Sequence, residues 1–342
     1  MTTFPVSAST LSETALGNFI KDTYQLAANF SCKLYRTGLN HTYFITDVQT
    51  TYVIRVYCYN WRTKTEIQEE LRLLNQLKNN NLSVSFPIAD KNGIVIQDVQ
   101  APEGLRHVVL FSFAKGDKIR VMKPDTCFAI GEIMAKIHNE TEGQKIDRIH
   151  YDSNTLLHKS YMHLNSFFPD TNDAMKTLKN LGQNLSKTFN EIDTSALPQG
   201  IVHLDIWYDN LNVAAETDIT IFDFDNCGNG LLILDVGYFC KQLFFIEQDK
   251  DQYEIKLHSF LSGYQSVRLL SETALQVIPE AGAAVFMYYL GVQAQRFDWS
   301  NIFLTKNYLN MFVARIETWM DYNKMQKSFR FVGICSWDTI FI

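Results

Sequence analysis

A chain of 342 residues exceeds the usual size of one domain, about 100–200 residues, and points to two lobes with room for a large core. Hydrophobic residues at 46%, charged residues at 20% and only 7 prolines exclude a disordered or fibrous protein. A formal charge of −6 leaves no clustered basic footprint, so no nucleic-acid partner is expected.

The first 13 residues are mostly small and polar, with no basic region leading into an apolar run, so no signal peptide is expected. Apolar positions at helical spacing predict a helix over 11–26. A β-rich stretch follows over 31–59, with Gly38, Leu39 and Asn40 as a turn between short strands. Within it TYVIRVY, residues 51–57, alternates β-branched and aromatic residues around one charge, Arg55, and predicts a strand. A helix is predicted over 63–77, because Thr63 with Glu66 three residues on is a capping-box pattern. Strands are predicted over 82–97 and 106–113. After Lys115-Gly116-Asp117 the texture changes: a helix over 125–140 and mostly helices to 326, interrupted by one β-hairpin near 211–224. The expected organisation is α+β, with a small β-rich lobe over 1–112, a hinge near 111–117, and a larger, mainly helical lobe over 113–342. The longest apolar run, 281–294, is shorter than the ~20 residues that cross a bilayer, so no membrane span is expected.

The informative segment is 201–230, IVHLDIWYDNLNVAAETDITIFDFDNCGNG. His203, Asp205 and Asn210 form H-x-D-x-x-x-x-N, and Asp223 follows inside IFDFD. Two strand-like runs, 211–213 and 219–222, flank a turn-like Ala215-Glu216-Thr217-Asp218. A hairpin centred on Glu216 and Thr217 sets residues 210 and 223 face to face, where their side chains can share a cation. That suits phosphoryl transfer, in which the protein mainly positions groups while metal ions bridge the phosphates. Magnesium takes a few hard oxygens and keeps its waters, and Asn210 and Asp223 supply such oxygens. Asp205, on the same loop, is placed to accept the proton of an attacking hydroxyl as general base. A single loop aspartate is ordinarily a turn or cap residue; the joint spacing argues for a site. His203 is expected to brace the loop rather than touch substrate. Asp225, two residues beyond Asp223, is either a second ligand or a neighbour.

Such a site also needs a cation on the phosphates, held by a helix carboxylate. The predicted strand offers Arg55, and the helix offers Glu66, Glu69 and Glu70. Ile67, Leu71, Leu74 and Leu77 mark the buried stripe; Glu70 falls inside it and Glu69 nearly opposite. A carboxylate in an apolar stripe requires a cationic partner, so Glu70 is paired with Arg55. No GxxxxGK[ST] or GxGxxG occurs, which disfavours a P-loop NTPase. The turn over 38–42 is the candidate phosphate-covering loop, with Asn40, His41 and Thr42 as hydrogen-bond donors.

These residues resemble the aminoglycoside phosphotransferase-like family, which includes choline kinases, type II homoserine kinases and a bacterial stress-response protein kinase. YVIRVY, EELRLLNQL, HLDIWYDN and IFDFDNCGNG match it in order, over roughly residues 35 to 240. The resemblance implies a protein-kinase-like bilobal fold using ATP and Mg2+, with Asp205 as base, Asn210 and Asp223 as metal ligands, and Arg55 with Glu70 on the phosphates. It also implies that Asp235, in Asp235-Val236-Gly237, supports the catalytic loop. The sequence departs from the family at Leu204, where Gly is usual, and at Arg55, where Lys is common. Arg keeps the charge but is a planar fork rather than a compact ammonium.

The expected acceptor is the hydroxyl of a small molecule, an aminocyclitol antibiotic or a choline- or homoserine-like metabolite, bound by the helical lobe. Tyr161, Phe167, Phe168, Tyr238, Tyr288, Tyr289, Arg296 and Trp299 are the candidates there, and an aromatic surface suits a quaternary ammonium or a sugar. The acidic run at Glu247, Asp249 and Asp251 reads as a solvated face. Two rivals are a stress-response-type protein Ser/Thr kinase, although no A-P-E segment follows Asp223, and an inactive nucleotide-binding module. Six cysteines with no C-x-x-C pair read as reduced thiols. The lack of a visible signal peptide and of a membrane-length apolar run favours the cytoplasm.

Overall fold

The alternation in TYVIRVY is realised as a strand between two antiparallel neighbours. The computed structural model describes residues 4–192, 197–296 and 305–332; Trp299, Cys335 and the tail from 333 lie outside the described residues. Helix α1 (Glu13–Tyr24) leads into β1 (Ser31–Arg36), β2 (Asn40–Thr46) and β3 (Thr51–Tyr57). Helix α2 (Lys64–Asn79), β4 (Pro87–Ile88), β5 (Ile96–Ala101) and β6 (Gly104–Ser112) complete the smaller lobe. The sheet runs β1-β2-β3-β6-β4, with β5 also paired to β6, and all pairs are antiparallel.

Register assigns the two faces. Tyr43 lies opposite Ile54, and Ile54 opposite Leu110; with Ile45, Val56 and Val108 they pack under Leu16 and Ile20 of α1. The other face carries Thr42 opposite Arg55, Arg55 opposite Val109, then Tyr57 and Phe111; its apolar members join the core that includes α2 and the larger lobe. Helix α2 begins with the complete capping box of Thr63 and Glu66 and buries Ile67, Glu70, Leu71, Leu74 and Leu77. The continuous strand expected over 82–97 is not formed. Asp90 Oδ1 accepts the amides of Asn92 and Ile94, each at 2.8 Å, and this side-chain-closed turn splits the span into β4 and β5.

After β6 the chain passes residues 113–116 into the helical part. Gly116 has φ +92°, and a Cβ there would stand 2.3 Å from the carbonyl group of Val213, so this crossing tolerates no side chain. Asn212 Nδ2 donates to Ala114 O at 2.6 Å, and Asp117 exchanges backbone bonds with Val213. The linker is thereby tied to the hairpin of β9 (Leu211–Ala215) and β10 (Asp218–Ile221).

The larger lobe is built from α3 (Pro124–Thr141), α4 (Ser160–Asn165), α5 (Asp173–Glu191), α6 (Ile233–Ile246), α7 (Lys250–Gln265), α8 (Glu272–Gln295) and α9 (Lys306–Val332). Beyond the expected hairpin it holds a small sheet of β7 (His150–Tyr151), β11 (Gly228–Leu231) and β8 (Gln199–Val202), in that order. Helix α8 is long and apolar enough to cross a bilayer by length and composition, which the count over 281–294 did not foresee; 78% of the qualifying window is buried within the fold.

Candidate active site

Strand β8 delivers the chain to His203, and the next residue turns it. Leu204 sits at φ +67°, the left-handed region that glycine occupies without strain, and its side chain is fully buried. Asp235, near the start of α6 and fully buried, holds this turn: Oδ2 accepts the His203 amide at 2.9 Å and Oδ1 the Leu204 amide at 2.6 Å. His138 Nε2 lies 3.1 Å from the same carboxylate, and its Nδ1 meets Tyr264 Oη at 2.7 Å, so the brace runs back into the helical core. His203 ties the loop to the hairpin. Its Nδ1 accepts the Asp205 amide at 3.1 Å, and its Nε2 lies 3.1 Å from Phe222 O and donates to it. Both bonds require the neutral ring protonated on Nε2, and burial depresses its pKa in the same sense.

Asp205 is half-buried, and its Oδ2 accepts from Asn210 Nδ2 at 2.7 Å. Burial first, and the Asp223 charge second, push its carboxyl well above the usual carboxylate range; hydrogen bonds from Tyr238, Tyr289 and Asn210 act the other way. The Asn210 amide also reaches Asp205 O at 3.0 Å, which leaves its carbonyl oxygen as the group able to face a cation. The hairpin register differs by one residue from that expected. Asp218 pairs with Ala215, an irregularity follows, and Ile221 pairs with Leu211, so Phe222 N bonds Asn210 O. Asp223 then lies one step past the last pair, at φ +64°, with its side chain 45% exposed to the cleft.

Arg55 bridges the lobes. Its Nη1 donates to Glu70 Oε1 at 2.6 Å and its Nη2 to Asp223 Oδ1 at 2.9 Å. Burial opposes the guanidinium charge, but Asp223 and Glu70 outweigh it and hold the pKa well above its ordinary value. Glu70, fully buried, also accepts from Tyr57 Oη at 3.1 Å and Arg148 Nη1 at 3.4 Å. The carboxylate in the stripe is therefore satisfied on both oxygens.

Asp225 faces away from this centre. Its Oδ2 accepts from Trp61 Nε1 at 2.7 Å and its Oδ1 from Arg62 Nε at 3.3 Å. Burial would raise its carboxyl, yet Arg62, Arg55 and Arg148 bring it down to about 2. With both oxygens engaged it joins the smaller lobe to the hairpin. Asn40 opens β2 and Thr42 lies in it on the cleft face, so the connection that covers the cleft is shorter than expected, residues 37–39. His41 points to the opposite face and is buried near Arg106; burial and then that charge lower its pKa to about 4. It is no loop donor. Sequence reasoning missed Trp61, Arg62 and Arg148, as well as Asp209, which accepts from Arg36 Nη1 at 2.8 Å and Lys118 Nζ at 2.6 Å. Only the aromatic–basic pair just before α2 offered a signal.

An antiparallel sheet over a helix carboxylate, a hinge, and a helical lobe presenting H-x-D-x-x-x-x-N and a following acid define a kinase-like phosphotransferase. The chain belongs to the phosphotransferase enzyme family, whose profile matches residues 32–270. A homoserine kinase of Agrobacterium fabrum is 26% identical to it over 275 residues, covering 79% of this chain and 81% of its own. A microcompartment-associated aminopropanol kinase superposes with TM-score 0.72 at 21% identity, over 91% of this chain and 98% of its own. An amicoumacin kinase solved with AMP-PNP, Ca2+ and Ami gives TM-score 0.73 at 18% identity, over 91% and 94%. The fold is the protein-kinase-like bilobal one, and the chain is a phosphotransferase that acts on a hydroxyl group.

Proposed function

We propose that the protein transfers the γ-phosphate of ATP, with Mg2+, to a hydroxyl of a small molecule in the cytoplasm, between lobes formed by residues 1–112 and 113–342. The observation that carries this reading is the convergence of Asp205, Asn210, Asp223 and Arg55 across the cleft, closed by the 2.9 Å bond from Arg55 to Asp223. Asp205 is the base. A carboxylate whose pKa is raised by burial is better matched to taking a proton from an alcohol than an exposed one. As the acceptor oxygen bonds to phosphorus and the bridging oxygen leaves with ADP, Asp205 holds the hydroxyl proton.

The donor set fits magnesium. Asn210 and Asp223 would hold the ion through hard oxygens, the kind of ligand magnesium takes alongside substrate phosphates and water. When bound, Mg2+ draws charge from the phosphate oxygens. Arg55, kept in place by Glu70, neutralises phosphate charge beside it, and Asn40 and Thr42 line the roof. Asp235 and His203 fix the loop that carries Asp205.

A screen of hydroxyl acceptors for stimulated ADP release tests the reading. Release should require both an acceptor and Mg2+, and Asp223→Ala should weaken Mg2+-dependent nucleotide binding. Unchanged metal dependence in that variant would contradict the ligand assignment.

A further inference from the structure

Side chains hold the carbonyl groups of the linker between the lobes. Asn212 Nδ2, on β9, donates to Ala114 O at 2.6 Å and to Gly116 O at 3.2 Å, and Ser85 Oγ donates to Ser112 O at 2.6 Å. Asn212 is 8% exposed, and its own amide oxygen has no hydrogen-bond partner among the described residues. An orphaned buried acceptor costs stability, and an apolar side chain between the buried Leu211 and Val213 would carry none. What the amide supplies in return is its pair of bonds to the linker.

The linker also borders an aromatic patch. Phe44 follows Thr42 by two residues on β2, so both lie on the sheet face that carries Arg55. The Tyr35 ring stacks on Phe44 at 4.5 Å, and Phe113, in the linker, meets Phe44 edge-on at 5.7 Å. Tyr35 is 50% exposed and Phe113 37%, so ring surface stays open beside the linker. With the phosphates at Arg55 and Asp223 and the roof at Thr42, the patch lies where the same face continues past the roof. Open rings there suit the planar base of a nucleotide.

We infer that Asn212 sets the choice of nucleobase, by holding the linker carbonyls so that adenine is accepted and guanine is turned away. The inference rests on the kinase reading and deepens it. At its pairing edge guanine presents two donor groups, N1–H and N2–H2, beside one acceptor; adenine presents one donor group, N6–H2, beside one acceptor. The carbonyls of Ser112, Ala114 and Gly116 already accept bonds from side chains, so the linker answers one donor group better than two. A base whose polar groups are left short of partners is rejected far more strongly than one that merely differs in size.

The test is calorimetric titration of the full chain with AMP-PNP and with GMP-PNP, each with Mg2+. Wild type should bind AMP-PNP at least about tenfold more tightly, the scale of one hydrogen bond. Asn212→Leu frees two carbonyls and should shrink that ratio to within about threefold, and Ser85→Ala, which frees a third, should move it the same way. A residue that only supports the fold would lower both affinities together and leave the ratio alone. The inference is overturned if wild type binds the two analogues equally, if GMP-PNP binds better, or if the ratio survives in Asn212→Leu. Should that variant fail to fold, an unchanged ratio in Ser85→Ala overturns it instead. Failure of the kinase reading shows separately, as absence of Mg2+-dependent binding of both analogues to wild type, and the inference falls with it.

Discussion

Leu204 is fully buried, yet its backbone at φ +67° places Cβ against the following carbonyl, a strain of about 1–2 kcal/mol. The two amide bonds to Asp235 keep it there. Leu204→Ala deletes buried carbons and retains the strain, at a cost of about 2–5 kcal/mol. Leu204→Gly deletes the same packing and adds about 0.5–1 kcal/mol of backbone entropy, but it releases the strain. The balance puts glycine above alanine by roughly 0.5–1 kcal/mol, the reverse of their order at an ordinary buried position. Thermal unfolding followed by circular dichroism reads this out. At about 2–4 °C per kcal/mol for chains somewhat shorter than this one, the glycine variant should melt one or two degrees above the alanine variant, and both below wild type. If alanine melts at or above glycine, the backbone is not held under left-handed strain, and the account of Asp235 as its clamp fails.

Two further perturbations follow from buried charge. Glu70→Gln leaves Arg55 and Arg148 short of an anion and should cost about 3–5 kcal/mol of stability and raise KM for ATP, measured by thermal melts and steady-state kinetics. Lys241 is fully buried, with its side-chain nitrogen over the Phe286 ring and no hydrogen-bond partner among the described residues, and burial lowers its pKa well below the usual value. Its neutral form contributes stability that is complete above the unfolded-state pKa and lost as pH falls through the folded one. Lys241→Met should therefore raise the melting temperature, most at low pH, with the gain shrinking toward pH ~10.4. A gain independent of pH would contradict the burial of a depressed amine.

What the sequence disclosed was local. The stripe of Ile67, Leu71, Leu74 and Leu77 singled out Glu70 because a helix repeats every few residues, and spacing alone brought Asn210 and Asp223 near one another. What it withheld depends on contacts between distant segments. The carboxylate of Asp225 is turned from the centre by Trp61 and Arg62, more than 160 positions away. The one-residue shift in the hairpin comes from an irregularity at Asp218 and Ile219 that no propensity marks. The turn at Asp90 closes through its own side chain, which broke a span otherwise rich in strand formers. At Leu204 the departure from the family's glycine pointed to the residue, and only the backbone angle gave the reason.

The role of Asp205 is tested most directly by Asp205→Asn, with turnover and nucleotide affinity measured on the same preparation. The amide oxygen can still accept from Asn210, so the loop is preserved while the proton acceptor is lost. Turnover should fall by about 10²–10⁴-fold, with the Kd for nucleotide close to that of wild type. Retained turnover, or loss of nucleotide binding together with activity, would contradict the assignment of Asp205 as the base.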